Sequence, residues 1–186
     1  MKPGAIVLEN PAWVEREIDA GRVYADDEAR VQLAIELARR NVEHATGGPF
    51  GAAVFDGDGH VISVGVNCVI AQHCSIAHAE IMALASAQQK LQRTRLNEGG
   101  EHFILATSAQ PCCQCYGAIV WAGIDALLIG ARGEDVESLT EFDEGPLPEN
   151  WIGALQQRGM RVTRDLHRDE ACAVLSDYAK RGGQHY

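Results

Sequence analysis

Residues 111–115, Pro111-Cys112-Cys113-Gln114-Cys115, place three cysteines within four consecutive positions of a 186-residue chain that contains six. A helix that begins at this proline would rotate by about 300° between Cys112 and Cys115, so both side chains would share one face of its first turn. The positive end of the helix dipole lowers the pKa of a thiol and favours the thiolate form. In a chain without an export signal, this cluster indicates metal binding by thiolates rather than a disulfide framework.

A second motif, His78-Ala79-Glu80, precedes the cysteines. Within a helix, residues two positions apart point about 200° away from each other, so His78 and Glu80 converge only if a helix begins between them. His78, Cys112 and Cys115 would then give one zinc ion three protein ligands. Because zinc prefers four, a water can take the last position and have its pKa lowered to roughly 7. Glu80, close to the metal but not a ligand, could move the proton of that water.

Two other interpretations of these motifs stay open. A C-x-x-C pair also occurs in redox proteins of the thioredoxin type, which have no need of an H-x-E motif. A closed structural zinc site is the other possibility, with Cys74, Cys113 or His73 as the fourth ligand. Glu80 would then be an idle surface carboxylate, and the chain would be a zinc-stabilised interaction module.

Hydrophobic periodicity predicts alternating helices and strands. A helix is expected at 27–44, and a hairpin at 50–66 that reverses at Asp56-Gly57-Asp58-Gly59. Further helices are predicted at 77–91, 112–122, 151–158 and 169–181, and further strands at 102–107, 125–131 and 160–163. Residues 132–149 are acidic and are predicted to form a loop. Alternation of apolar helices and strands favours an α/β fold with helices on both faces of one sheet.

Composition limits the possible functions. The chain is 46% hydrophobic and 23% charged, which is typical of one folded domain, placed here at 1–186. With 16 basic and 26 acidic residues, its net charge of −10 argues against a nucleic-acid partner. The sequence contains neither an apolar run long enough to cross a membrane nor the apolar core of a secretory signal. We therefore expect no membrane partner and a cytoplasmic location.

Around the two motifs the sequence resembles the cytidine deaminase-like superfamily and, within it, bacterial guanine deaminases. H-x-E followed by P-C-x-x-C is the signature of zinc deaminases. The resemblance covers residues 47–129 and rests on Gly48-Pro49-Phe50-Gly51-Ala52, Gly65-x-Asn67, Ala77-His78-Ala79-Glu80-Ile81 and Pro111-Cys112-x-x-Cys115-x-Gly117-Ala118-Ile119-x-Trp121-Ala122. One departure is Gln110, where relatives commonly have glutamate. It supplies none of the matched ligands, so we still expect zinc binding.

The resemblance implies a fold and a set of roles. The fold would be a three-layer α/β/α sandwich with a mixed five-stranded sheet, and the chain would form a homodimer. One zinc ion per chain would be bound by His78, Cys112 and Cys115, with Glu80 as the proton shuttle. Trp121 is expected in the core or in the dimer interface.

Several residues are expected to bind a free nucleobase. By the resemblance, Asn67 contacts the base, although asparagine is also favoured in turns and could simply close the hairpin region. Phe50 could stack on the base or fill the core, and Ala79 is placed in the same pocket. The C-terminal helix and polar tail, 168–186, could close the pocket with Tyr186, although chain ends commonly fray.

Glu144, in the acidic stretch 142–146, bears on the identity of the base. Guanine carries adjacent donors, N1–H and the exocyclic amine, and one carboxylate can accept from both. Adenine and cytosine present an acceptor at the corresponding ring nitrogen. Guanine deaminases place a carboxylate in this region, so we expect Glu144 to select guanine and to assist departure of the amine. A solvated acidic loop is the alternative.

The sequence therefore predicts a zinc aminohydrolase that converts guanine to xanthine and ammonia. Glu80 would take a proton from the attacking water and return it to a ring nitrogen before the amine leaves C2. A free base is favoured because no Arg or Lys flanks the motifs to bind a phosphate. The alternatives are a tRNA adenosine deaminase and a deaminase of cytosine or of triazine amines such as ammeline.

Overall fold

The computed structural model describes residues 4, 6–19 and 21–185. This part of the chain contains eight α-helices, one 3-10 helix and five β-strands. In chain order they are α1 (Trp13–Glu17), α2 (Asp27–Glu43), β1 (Gly51–Asp56), β2 (Val61–Val66), α3 (Val69–Gln72), α4 (Ala79–Leu91), the 3-10 helix (Leu96–Gly99), β3 (Phe103–Ala109), α5 (Cys113–Ala122), β4 (Ala126–Ala131), α6 (Gly133–Leu139), α7 (Trp151–Gln156), β5 (Arg161–Thr163) and α8 (Arg168–Lys180).

The five strands form one mixed sheet in the order β2-β1-β3-β4-β5. β1 pairs antiparallel with both β2 and β3, whereas β3, β4 and β5 run parallel. Helices α2 and α8 pack on one face, and α4 packs on the other. The three-layer α/β/α sandwich with a mixed five-stranded sheet is confirmed.

Alternation along the strands supplies both layers of the core. In β1, Ala53 and Phe55 pack with the α2 side, and Ala52 and Val54 pack with the α4 side. This two-residue period is the normal consequence of strand geometry. All seven residues of β3 are buried, as expected for a central strand covered on both faces.

A close contact between β2 and α4 positions the first motif. A Cβ atom at Gly65 would lie 2.1 Å from the carbonyl oxygen of Ala79, so only a glycine allows this approach. The start of α4 therefore packs directly against β2, and His78 and Glu80 are brought to the end of the sheet.

The prediction of a loop throughout 132–149 is wrong, because α6 occupies Gly133–Leu139. The carboxylate of Asp135 accepts a 2.8 Å hydrogen bond from the backbone N–H of Arg132 and stabilises the start of the helix. Acidic residues are favourable in this first turn because they face the positive end of the helix dipole. Val136 is fully buried. The acidic composition of this stretch indicated a loop, but capping and packing stabilise a helix within it.

Helices α1 and α3 were also not predicted, since each is too short to show a clear period. Trp121 is 79% exposed, which rules out the core and leaves the dimer interface as its predicted place, whereas Ile119 in the same helix is fully buried. Within the described ranges, no helix has both the length and the apolar character needed to cross a bilayer. The cytoplasmic location stays a prediction.

Candidate active site

Two helices begin side by side at the site. His78 is the residue that precedes α4 and has extended backbone angles (φ −72°, ψ 155°), so the helix begins between His78 and Glu80 as the motif required. Cys112 occupies the corresponding position before α5, which follows β3. The first turns of both helices therefore bring the two motifs together, although they are more than thirty residues apart in the chain.

The geometry of the three predicted ligands fits a zinc ion. Nδ1 of His78 lies 3.5 Å from Sγ of Cys112 and 3.7 Å from Sγ of Cys115. A tetrahedral zinc ion, with bonds near 2.0 Å to nitrogen and 2.3 Å to sulfur, places such ligand atoms about 3.6 Å apart. Among the described residues, the three ligand atoms form one group within 4.8 Å of one another. The donor set therefore suits zinc.

The cluster has the composition of a catalytic rather than a closed site. His73, Cys74 and Cys113 line the adjoining cavity but are not members of the described metal-binding group. Three protein ligands are typical of catalytic zinc, whereas structural sites use four. The closed-site interpretation is therefore not supported by the part of the chain that the structure describes.

The two thiols share one negative charge in the absence of a cation. A hydrogen bond from Cys115 lowers the pKa of the Cys112 thiol to about 4, with a further contribution from His78, although burial opposes this shift. The pKa of Cys115 is raised because its thiol donates to Cys112 and is buried. A divalent cation would displace the remaining proton, since coordinating thiols are deprotonated.

Glu80 lies next to the ligands without belonging to their group. Its side chain lines the same cavity, and the residue is only 8% exposed. Burial raises the pKa of this carboxyl to about 7, and the negative charge of Cys112 adds to the effect. A carboxyl group with this pKa can both accept and release a proton near neutral pH.

One cavity of about 640 Å³ contains the candidate site. Its size is within the range of small-molecule pockets. It brings together Glu80 and the four expected base-binding residues Phe50, Asn67, Ala79 and Glu144. Gln184 of the C-terminal tail lines the cavity as well. Tyr186, which was expected to close the pocket, lies outside the described residues.

Glu144 is buried in this cavity rather than solvated. Its exposed fraction is 8%, and its Oε2 atom is buried without a hydrogen-bond partner among the described residues. Burial raises the pKa of the Glu144 carboxyl to about 9, and the charges of Cys112 and Glu80 contribute further. A buried carboxyl oxygen without a partner is costly, so a hydrogen-bond donor on a ligand would be favourable here.

Asn67 and Phe50 also line the cavity. Asn67 is 1% exposed, and its Oδ1 atom accepts the backbone N–H groups of Gly48 and Val69, both at 3.4 Å. Its turn-stabilising role and its place in the cavity therefore coexist. The ring of Phe50 packs edge-on against Phe142 at 5.2 Å, and Phe50 also lines the cavity. Stacking of this ring on a base stays a prediction.

Gln114 was not identified from the sequence. Its Nε2 atom is buried without a partner among the described residues, and its side chain lines the cavity. The only signal was its position between the two cysteine ligands, where the first turn of α5 turns it towards the pocket.

The C-terminal tail also reaches this region, since Gln184 lines the cavity. The hydroxyl of Tyr178 donates a 2.6 Å hydrogen bond to the carbonyl of Gln184 and holds the tail there.

Comparison with known proteins identifies relatives of this site. Residues 24–131 match the family model of the cytidine and deoxycytidylate deaminase zinc-binding region. A solved structure of guanine deaminase from Nitrosomonas europaea is 45% identical, with a TM-score of 0.90 and coverage of 95% of this chain and 97% of that one.

Two curated relatives are more distant. Guanine deaminase from Bacillus subtilis is 37% identical over 108 residues, which are 58% of this chain and 66% of that enzyme. A tRNA-specific adenosine deaminase from Buchnera aphidicola is 31% identical over 120 residues, which are 64% of this chain and 73% of that enzyme.

The family match spans more than half of the chain and includes both motifs that form the His-Cys-Cys cluster. The resemblance to zinc deaminases is therefore confirmed by the family model, by the relatives and by the fold. The chain belongs to the cytidine and deoxycytidylate deaminase family and is a zinc-dependent hydrolytic deaminase.

Proposed function

We propose that this enzyme converts guanine and water to xanthine and ammonia. The observation that carries the proposal is the buried Oε2 atom of Glu144, which has no hydrogen-bond partner among the described residues and lies in the cavity that also contains the His-Cys-Cys cluster. A buried acceptor at this place matches the adjacent N1–H and amine donors of guanine. The two guanine deaminases among the relatives support the same substrate.

In this proposal His78, Cys112 and Cys115 hold one zinc ion. When bound, zinc acts as a Lewis acid that lowers the pKa of water and favours nucleophilic attack. Glu80 accepts a proton from the attacking water and transfers it to the ring nitrogen beside C2. Its buried position next to the ligands suits this transfer because it is within the same cavity and titrates near neutral pH.

Glu144 would have two roles. As a carboxylate, it accepts hydrogen bonds from N1–H and from the exocyclic amine of the bound base. It can then take the proton that the C2 hydroxyl loses as the carbonyl forms and donate it to the departing amine, which leaves as ammonia; the raised pKa favours this protonated form. Both roles are stronger where water is excluded, and Glu144 is buried.

Base recognition would be completed by Asn67, Gln114, Phe50 and the backbone at Ala79. The amide groups of Asn67 and Gln114 supply donors to acceptor atoms of the purine, and Phe50 offers an aromatic surface for the ring. We place residues 168–186 of the single domain over this pocket, since Gln184 already lines it. Removal of residues 182–186 is expected to raise the KM for guanine.

We also propose a homodimer that buries α5. Trp121 on this helix is 79% exposed, which is unusual for a large aromatic residue outside an interface. Trp121→Glu should shift the molecular mass measured by light scattering from that of a dimer to that of a monomer. An unchanged mass would place the interface elsewhere or exclude it.

Adenosine in tRNA is the main alternative substrate, because the relative from Buchnera aphidicola is a tRNA-specific adenosine deaminase. The net charge of −10 argues against this alternative, because proteins that bind the phosphate backbone of a nucleic acid normally present a positive surface. Ammonia release is the test: the zinc-loaded enzyme is incubated in turn with guanine, adenine, cytosine, their nucleosides, ammeline and an adenosine-containing tRNA anticodon stem-loop. Guanine should be preferred, and preferential turnover of the tRNA substrate would reject the proposal.

A further inference from the structure

A chain of buried and half-buried hydrogen bonds connects α1 with Asn67. The indole N–H of Trp13 donates to Oγ1 of Thr46 at 3.0 Å, and this hydroxyl donates to Oδ1 of Asn41 at 2.7 Å. Nδ2 of Asn41 then donates to the carbonyl oxygens of Asn67 at 2.9 Å and Gly48 at 2.8 Å. We call these side chains, Trp13, Thr46 and Asn41, the Asn67 relay.

The direction of every bond in the relay is fixed by chemistry. An indole can only donate, so Thr46 must accept from Trp13 and use its one hydrogen for Asn41. Backbone carbonyls can only accept, so the amide nitrogen of Asn41 must face Asn67 and Gly48. This requirement also fixes which end of the Asn41 side chain is oxygen and which is nitrogen. The relay therefore has one arrangement, and it is complete only when all three side chains are present.

The relay holds both backbone segments that orient the Asn67 side chain. Asn41 binds the carbonyl of Asn67 and that of Gly48, and the N–H of Gly48 in turn donates to Oδ1 of Asn67. The two segments are in direct contact, since a Cβ atom at Gly47 would lie 1.9 Å from the carbonyl oxygen of Asn67. With its oxygen engaged by backbone donors, the Asn67 amide keeps its nitrogen as the donor for a bound base, and the residue lines the cavity.

We propose that Asn41, with Thr46 and Trp13, is a positioning group for base recognition by Asn67. The inference rests on the proposed function, in which Asn67 binds the base. It assigns a role to α1, because Trp13 lies outside residues 24–131, the region matched by the family model. Trp13 is 3% exposed and Asn41 is fully buried, so water does not replace the lost partners easily.

Thr46→Val is the central test because it removes the hydroxyl and keeps the branched shape. In the zinc-loaded enzyme we expect kcat/KM for guanine to fall about tenfold, mainly through KM, since one hydrogen-bonding group would be misplaced. Thr46→Ser restores the hydroxyl and should restore activity. Trp13→Phe removes only the terminal donor, so its effect should be smaller.

A double-mutant cycle separates positioning from general stability. In an Asn67→Ala background, Thr46→Val should cause no further loss of kcat/KM, because the group that it positions is gone. Ile124→Ala is the matched control: Ile124 is 4% exposed and is not among the described residues that line the cavity. It should lower thermal stability and leave the KM for guanine unchanged.

The NMR signal of the Asn67 side-chain amide gives a readout that does not depend on turnover. Thr46→Val should shift this signal in the zinc-loaded enzyme, and Thr46→Ser should return it towards its original position. An unmoved signal, or a loss of kcat/KM that is equally large in the Asn67→Ala background, would overturn the inference. Absence of guanine turnover in the unmodified enzyme would instead overturn the proposed function. The NMR result would still show whether Thr46 positions the Asn67 side chain.

Discussion

The backbone carbonyl of Glu144 accepts a 2.9 Å hydrogen bond from the backbone N–H of Cys113. Cys113 lies between the two cysteines of the metal cluster, so this bond attaches the acidic segment to the first turn of α5. The carboxyl group predicted to select the base is therefore held at a fixed place relative to the predicted zinc ligands. The arrangement explains how a stretch that reads as a solvated loop contributes to a buried site.

Replacing the Glu144 carboxyl by an amide tests its role in base selection. Glu144→Gln keeps the shape but offers the adjacent donors of guanine only one acceptor and no proton for the amine. We expect kcat/KM for guanine to fall by about two to three orders of magnitude, with zinc content unchanged. Glu141→Gln is the matched control, because the Glu141 side chain is 84% exposed. Equal activity of both variants would exclude Glu144 from the reaction.

Metal analysis tests the ligand set. Cys112→Ser replaces a thiolate by a hydroxyl that is a poor zinc ligand, so zinc affinity should fall by more than about 100-fold. Cys113→Ser should retain one zinc per chain, since Cys113 is outside the described metal-binding group. Zinc is measured by mass spectrometry after competition with a chelator. Loss of zinc in Cys113→Ser, with retention in Cys112→Ser, would require a different ligand set.

A purine with one acceptor removed tests Gln114. Gln114→Met deletes the buried donor with little change in size, and we expect affinity for guanine to fall about tenfold. If the Gln114 amide donates to N7 of guanine, the variant and the wild type should bind 7-deazaguanine equally well. If it donates to N3 instead, they should bind 3-deazaguanine equally well. The control is Gln156→Met at an exposed position of α7. A uniform loss for all three bases would point to a packing role instead.

The ion pair that holds α6 to α8 should make stability depend on acid pH. Arg168 donates two hydrogen bonds to the carboxylate of Asp135, at 2.8 and 2.7 Å, and these bonds lower the pKa of Asp135 to about 2. Because this folded-state value is below that of the unfolded chain, the pair stabilises the fold above about pH 4. This contribution is lost as the pH falls towards 2.

Urea unfolding between pH 2 and 7 measures this contribution. Asp135→Asn should be less stable than the wild type at pH 7, and the difference should shrink as the pH falls. Asp58→Asn, in the exposed hairpin turn, should show no such pattern. A difference between Asp135→Asn and the wild type that is independent of pH would show that packing, and not charge, links the two helices.

The parts of the structure that were predictable depend on short sequence spacings. The separation of Cys112 and Cys115, and that of His78 and Glu80, restrict where helices begin, so the metal cluster followed from helix geometry. The alternation of helices and strands indicated helices on both faces of a sheet, and the family resemblance supplied its five strands. Asn67 was expected in the pocket by the same resemblance, and Phe50 because aromatic side chains stack on bases.

The parts that were missed depend on contacts between distant residues. Helix α6 is stabilised by Asp135, whose partner Arg168 lies more than thirty positions away. The relay from Trp13 to Asn67 likewise joins three segments, at 13, 41–48 and 67, which meet only in the folded chain. The apolar character of Trp121 left two places open, because it does not reveal whether the partner is the core of its own chain or another surface.

Xanthine formation from guanine by zinc-loaded wild type and Glu80→Gln is the most direct measurement of the proposed chemistry. The amide cannot accept the proton of the attacking water, so the variant should keep its zinc and its fold and lose turnover by at least about a hundredfold. The wild type should form xanthine and ammonia in equal amounts. Wild-type turnover that Glu80→Gln leaves intact, or a zinc-loaded wild type that forms no xanthine, would contradict the account.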